Sequence, residues 1–157
     1  NDESDTRTVE PLLLKEFNGR WYLISRKAGE DTIRTFGLDR ISELETLRQK
    51  YPASKHFDAD EFFKDAFGIF VPVKEEAERV VLSFSKEQGQ YVKSYPIHHS
   101  QKIITENATE VQLELKVYLS YDFIHELLSY GENIKVISPK LLVNRIKKVL
   151  NDALNNQ

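Results

Sequence analysis

Residues 111–119 alternate without a break. Val111, Leu113, Leu115, Val117 and Leu119 are apolar, and Gln112, Glu114, Lys116 and Tyr118 sit between them. A period of two puts each set on its own face of an extended strand, so this segment predicts one dry face and one wet face. Such a strand needs neighbours in a sheet and a layer over its apolar side. The flanking sequence supplies both. Residues 79–85, 102–105 and 134–137 predict further strands. Residues 121–130 predict a helix with Phe123, Ile124, Leu127 and Leu128 along one stripe and Gly131 as its stop. Residues 86–93 predict a helix in spite of Gly89. Ser138 is expected to cap a final helix that has Pro139 in its first position and buries Leu142, Ile146, Val149 and Leu150. The order β-α-β-β-α-β-α, without its last helix, is the ferredoxin-like split pattern.

The first half has a different rhythm. Residues 8–16 predict a strand with Pro11 near its start, and Asn18-Gly19 is a strong hairpin turn. Residues 20–27 follow as a strand, with Trp21, Leu23 and Ser25 on one face and Tyr22, Ile24 and Arg26 on the other. After the turn Ala28-Gly29-Glu30-Asp31, residues 32–38 place Arg34, Phe36 and Leu38 on one face, and a further strand is expected over 41–47. Trp21 is expected in the core, as is Phe36. Residues 58–67 predict a short helix that Asp58 caps, Glu61 completes and Gly68 stops. Pro72 and the charged run Lys74, Glu75, Glu76 and Glu78 suit a connector, so the expected domains are 1–72 and 73–157 in an α+β chain.

The 157 residues fit one large domain or two small ones. A net charge of −3 argues against a general coat for duplex DNA but leaves room for a local basic site. There is no cysteine, hence no disulfide and no thiolate metal site. No apolar run approaches the roughly 20 residues of a membrane span, and no signal-peptide pattern opens the chain. A cytoplasmic location is the expectation. The opening Asn1-Asp2-Glu3-Ser4-Asp5, without methionine, reads as the start of a piece of a longer protein.

Arginines are concentrated on the two strands around the second turn, at Arg20, Arg26, Arg34 and Arg40. A guanidinium presents a rigid fork of donors to planar or phosphorylated anions, and a neighbouring aromatic can stack on a base. Tyr22, Arg26, Arg34 and Arg40 are therefore the first candidates for a ligand site. The competing reading is that Arg40 pairs with Asp39 or another acid and only pins the fold. The pair His98-His99 invites a metal, but His56 and His125 are the only other histidines, and three or four converging ligands are not supplied. No metal or cofactor is expected. His98 and Gln101 instead could line a site or make ordinary side-chain hydrogen bonds. No nucleophile elbow, P-loop or zinc-protease motif is present, and Asp58-Ala59-Asp60-Glu61 is explained by helix capping, so catalysis has no support.

The segment Gly19-Arg20-Trp21-Tyr22-Leu23, with Val9-Glu10-Pro11 before it and the run Arg34-Thr35-Phe36-Gly37-Leu38-Asp39-Arg40-Ile41 after it, resembles the WYL domain family. The second half resembles the C-terminal extension that follows many WYL domains (WCX), through His98-His99-Ser100-Gln101, Leu128-Ser129-Tyr130-Gly131-Glu132 and Val136-Ile137-Ser138-Pro139. Together the resemblance covers about residues 8–152. It implies an Sm-like small β-barrel, completed by a strand before residue 8, and the ligand-sensing part of a bacterial transcription regulator. The implied ligand is single-stranded nucleic acid or a nucleotide. Duplex DNA would be met only through a helix-turn-helix domain outside this chain, and a homodimer is expected. The alternative is a protein-interaction module without a small ligand, marked by an exposed apolar patch on the barrel or on the helix at 121–130.

Overall fold

The computed structural model describes residues 5–28, 30–48, 50 and 57–156. The opening residues Asn1 to Ser4, Gly29 of the second turn and His56 lie outside the described residues. The chain divides into two compact units, residues 1–64 and 65–157.

In the first unit β1 (Val9–Phe17), β2 (Arg20–Lys27) and β3 (Ile33–Gly37) form an antiparallel meander in the order β1-β2-β3. Asn18 and Gly19 join β1 to β2 with φ of 51° and 74°. Positive φ at both central residues is the signature of the tight turn that matches strand twist, and Asn-Gly tolerates it best. The turn sets the register, so Phe17 faces Arg20 and Lys15 faces Tyr22. A bulge between Pro11 and Leu13 then shifts the pairing by one residue. Among the described residues the three strands make an open sheet, and no closed barrel is found.

Two expectations fail here for local reasons. No strand runs over 41–47: β3 ends in a 3-10 turn (Leu38–Arg40), and Glu43 at φ 51° interrupts any extended run. Trp21 is not core but 53% exposed, since it lies next to the hairpin tip opposite the exposed Glu16. Phe36 is half-buried, under the Arg7 guanidinium at 5.8 Å. The helix expected over 58–67 is shorter, α1 (Ala59–Phe63), although Asp58 does cap it by accepting from the Glu61 N–H at 3.1 Å. Beyond it the chain serves other packing within the second unit. The Asp65 carbonyl accepts from the Tyr118 N–H at 2.9 Å, and the Phe67 ring lies 5.8 Å from that of Phe123.

The second unit follows the predicted order: β4 (Glu78–Ser85), α2 (Lys86–Ser94), β5 (Lys102–Glu106), β6 (Glu110–Val117), α3 (Tyr121–Ser129), β7 (Ile134–Ser138) and α4 (Lys140–Asn155). Its strands lie in the order β5-β6-β4-β7, with every neighbouring pair antiparallel. The alternation in β6 does what it predicts. Val111, Leu113 and Leu115 stand opposite Phe84, Leu82 and Val80, and all six are buried. Val92, Phe123, Ile124, Leu127 and Leu142 cover them from the helices. Each such side chain contributes about 1.5–3 kcal/mol on leaving water. The other face is polar, with Arg79 donating to Glu114 at 2.7 Å and Ser83 to Glu110 at 2.6 Å. The Ser83 hydroxyl holds the Glu110 carboxyl below the usual range.

α2 is set down by the residue that seemed to weaken it. A Cβ on Gly89 would meet Val111 at 2.4 Å from Cγ2 and 2.6 Å from Cβ, so the bare glycine lets the helix backbone lie against β6. Lys86, Lys93 and Gln90 of the same helix converge on Glu106 of β5 and hold its carboxyl down to about 2. The start of α4 departs from expectation. Ser138 belongs to β7, Pro139 occupies the N-cap, and no side chain caps the helix. Its apolar face is only half used: Leu142 is buried and Ile146 packs on the core, but Val149 is 36% and Leu150 49% exposed, since the core underlies only the first turns of the 16-residue helix. No helix among the described residues is long and apolar enough to cross a membrane.

Gly89→Ala is expected to destabilise the chain by about 1–3 kcal/mol of overpacking, less the roughly 1 kcal/mol that alanine adds to helix propensity, read from urea unfolding. The loss should be partly relieved in a Val111→Ala background, where the colliding methyls are gone. Glu106→Gln tests the lysine clasp. A carboxyl whose folded pKa is depressed contributes stability above its ordinary value of 4.5 and loses it as pH falls towards 2. The variant should therefore unfold more easily than wild type at neutral pH, with the gap closing through that acid window.

Candidate anion-binding face

The β-sheet register of the first unit decides which arginines can act together. Cross-strand partners share a face. Tyr22 pairs with Lys15 and Gly37, Arg26 with Glu10 and Ile33, and Ser25 with Pro11 and Arg34. Tyr22 and Arg26 thus project from one face and Arg34 from the other. Arg40 joins the Tyr22 face. Its Nε and Nη2 lie 3.3 and 3.4 Å from the point where a Gly37 Cβ would stand, and the Asp39 Oδ1 is 2.6 Å from that point. Gly37 is buried, and the absence of its side chain makes the space into which the Arg40 head folds beside Tyr22.

The four candidate residues differ in their electrostatic surroundings. The side chain of Arg26, about a fifth exposed, has Glu10 and Asp31 each at 4.0 Å, and it makes further interactions besides. Among the described residues Arg34 and Arg40 have no carboxylate within 4.0 Å, and both are exposed. The acid next to Arg40 in sequence, Asp39, reaches Arg20 instead, at 3.9 Å. Arg20 lies on the Tyr22 side of β2, as Lys15 does on β1, where its Nζ stands 4.9 Å from the Phe63 ring of α1. Lys15, Arg20 and Arg40 therefore share the Tyr22 face of the sheet, where Asp39 reaches Arg20 and Glu10 reaches Arg26. Arg20 belongs to the arginine cluster of the sequence though not to the expected site, and Lys15 and Gly37, which the sequence does not single out, reach this face through the strand register. The signal for Lys15 was the Asn18-Gly19 turn, which alone sets it opposite Tyr22.

The other two candidates stand in the second unit, between α2 and β5. His98 is buried, with Nδ1 2.8 Å from the Ser100 hydroxyl and accepting the Ser100 N–H at 3.3 Å. Ser100 in turn donates to the Lys116 carbonyl at 3.2 Å and accepts from its N–H at 2.9 Å. Gln101 donates to the Val92 carbonyl at 2.7 Å and accepts from the Ile97 N–H at 3.0 Å, which ties the loop to the end of α2. The polar atoms of Gln101 are spent on this loop. Among the described residues no group of three or more histidines and carboxylates is placed to hold a metal ion.

Two family profiles match separate stretches of the chain. The WYL domain profile matches residues 1–46, and the WCX domain profile matches residues 76–154. The chain is 25% identical over 166 residues to Protein PafC of Mycobacterium tuberculosis, in two strains. The alignment covers 99% of this chain and 47% of the relative, so the chain spans about half the length of the curated relatives it matches. Proteasome accessory factor B/C (PafBC) of Arthrobacter aurescens aligns in structure with a TM-score of 0.35 and 21% sequence identity, over 89% of this chain and 21% of that one. With the WYL profile on its first unit and the WCX profile over half of its length, the chain belongs to the family of proteins that join a WYL domain to a WCX domain.

Proposed function

We propose that this chain is the ligand-sensing region of a bacterial transcription regulator, and that its first unit binds an anion, either single-stranded nucleic acid or a nucleotide. One observation carries the reading. In a chain of net charge −3, Arg7, Arg20, Arg26 and Arg79 have acidic partners, whereas Arg34 and Arg40, on the same small sheet, have none among the described residues. Tyr22, on the same face as Arg40, offers a stacking surface, and Arg20 and Lys15 extend the positive field of that face. Arg26, His98 and Gln101 are read as positioning groups, because their polar contacts are made within the protein.

The finer architecture belongs to the same proposal. The second unit reads as ferredoxin-like, supported by its β-α-β-β-α-β order and the strand order β5-β6-β4-β7. The first reads as part of an Sm-like barrel, with β1 and β3 offering the edges at which further strands pair. Ligand binding would bias a DNA-binding domain elsewhere in the polypeptide through different affinities for two arrangements, with the chain acting as a homodimer and duplex DNA met only through that domain. The partner-module reading looked for an apolar patch on α3. There Phe123, Ile124 and Leu127 are buried and Tyr121 is the one large apolar residue exposed, whereas on the sheet of the first unit, the other place named for such a patch, Leu14 and Trp21 are exposed on one face and speak for the partner reading.

Fluorescence anisotropy with labelled single-stranded DNA, single-stranded RNA and a matching duplex tests the proposal. Single strands should bind, and binding should weaken steeply with salt as phosphate contacts require. Arg40→Ala should cost at least about tenfold in affinity, the worth of one charge-assisted contact, while shifting stability by no more than about 0.5 kcal/mol. Gly37→Ala should act in the same direction by pushing the Arg40 head out of its place. Arg26→Ala should behave in the opposite way, losing about 1 kcal/mol of stability because Glu10 is left half-buried and unpaired. Equal binding of duplex and single strand, or affinity untouched by Arg40→Ala, would refute the reading.

A further inference from the structure

Ser25, the sixth of the eight residues of β2, is completely buried, and among the described residues its hydroxyl has no hydrogen-bond partner. A hydroxyl shut away from water without a partner is an unfavourable arrangement that native folds rarely keep without a use. Its surroundings explain why the backbone does not relieve it. Pro11, opposite on β1, has no N–H, and the bulge between Pro11 and Leu13 follows directly. The other cross-strand partner of Ser25 is Arg34. Directly opposed side chains on one face have Cβ atoms roughly 4.5–5.5 Å apart. Ser25 and Arg34 are therefore direct cross-strand neighbours on the face opposite to Tyr22 and Arg40. Phe36 and the exposed Trp21 lie on this face too.

We propose that Ser25 is a ligand-contacting residue whose hydroxyl donates to an anionic oxygen held by Arg34. The inference rests on the reading of the first unit as an anion-binding module and adds a second contact to it, on the reverse of the sheet. The group recognised is a phosphate or carboxylate oxygen, since the guanidinium supplies charge and the serine supplies one directed O–H donor. Drawing the long Arg34 side chain onto the anion brings that oxygen over the hydroxyl, which then gains the partner it lacks in the free protein. Ser25 thus lowers the stability of the free protein and raises affinity for the ligand.

That opposition makes the test sharp. Ser25→Ala removes a buried donor without a partner, so a purely structural serine predicts an equal or higher thermal midpoint and unchanged binding. The proposal predicts the same midpoint behaviour together with a three- to tenfold loss of affinity for labelled oligothymidylate, in the range of one neutral hydrogen bond. Inorganic pyrophosphate should compete with the probe less well on the variant than on wild type. Ser25→Thr, which keeps the hydroxyl, should hold affinity within about twofold of wild type. Wild-type affinity in Ser25→Ala, alongside weakened binding in Arg34→Ala, overturns the role of Ser25 and leaves the ligand reading standing. Wild-type affinity in Arg34→Ala removes the anion from this face and overturns the role of Ser25 alone, whereas no binding of oligothymidylate or pyrophosphate by wild type overturns both.

Discussion

The second unit depends on one face of β4 and β6 being dry. Val80, Leu82 and Phe84 meet Leu115, Leu113 and Val111 in register, and nothing in the unit can slip by one residue without turning those six side chains to water. The helices are answers to that face. Phe123, Ile124 and Leu127 come down from α3 and Val92 from α2, and α2 can approach closely only because position 89 has no side chain. Leu142 of α4 completes the layer, after which the helix runs on past the core with Val149 and Leu150 uncovered. The lysines of α2 that clasp Glu106 act at the sheet margin, where solvent screens them, and they orient the helix more than they hold the fold.

Most of this could be read from the sequence because it is local. Strict alternation gave β6, an Asn-Gly pair gave the first hairpin, and Asp58 gave the start of α1, where its carboxylate does accept from the Glu61 N–H. The misses are the places where something distant decides. Residues 64–67 have a helical pattern, yet the Tyr118 N–H and the Phe123 ring capture them. The pattern at 41–47 suits a strand, but Glu43 sits in a left-handed conformation that no alternation rule could reveal. Trp21 looked like core because large aromatics usually are, but whether a strand face is covered depends on layers that a strand cannot announce.

The candidate site shows the same divide more finely. That Arg20, Arg34 and Arg40 are clustered is plain in the chain, but which of them is neutralised is not. Asp39 is the nearest acid to Arg40 in sequence and serves Arg20 instead, since consecutive residues of a 3-10 turn point in different directions. The case of Arg26 is subtler. Carried unbroken from the Asn18-Gly19 turn, the register would set Arg26 opposite Pro11. The one-residue bulge moves it opposite Glu10, and so turns a candidate ligand contact into a half-buried ion pair. The bulge beside Pro11 is therefore what sorts the arginines.

The same bulge separates two kinds of missing partner. An exposed guanidinium without a carboxylate loses almost nothing, because water satisfies it and surface pairs contribute little. The unpaired state of Arg34 and Arg40 is thus cheap, and it keeps charge available for a ligand without straining the fold. A buried hydroxyl without a partner is different: roughly 1–3 kcal/mol of desolvation is left uncompensated. Ser25 has this position because Pro11, on one side, cannot donate to it and Arg34, on the other, reaches outward to solvent. Tolerance of that arrangement in a three-stranded sheet with so little core of its own is hard to explain by packing, since alanine would fill nearly the same volume with no polar atom to strand. The physical asymmetry points to the ligand-bound state, in which Ser25 and Arg34 can share one oxygen, as the state that makes the free protein's least favourable buried group intelligible.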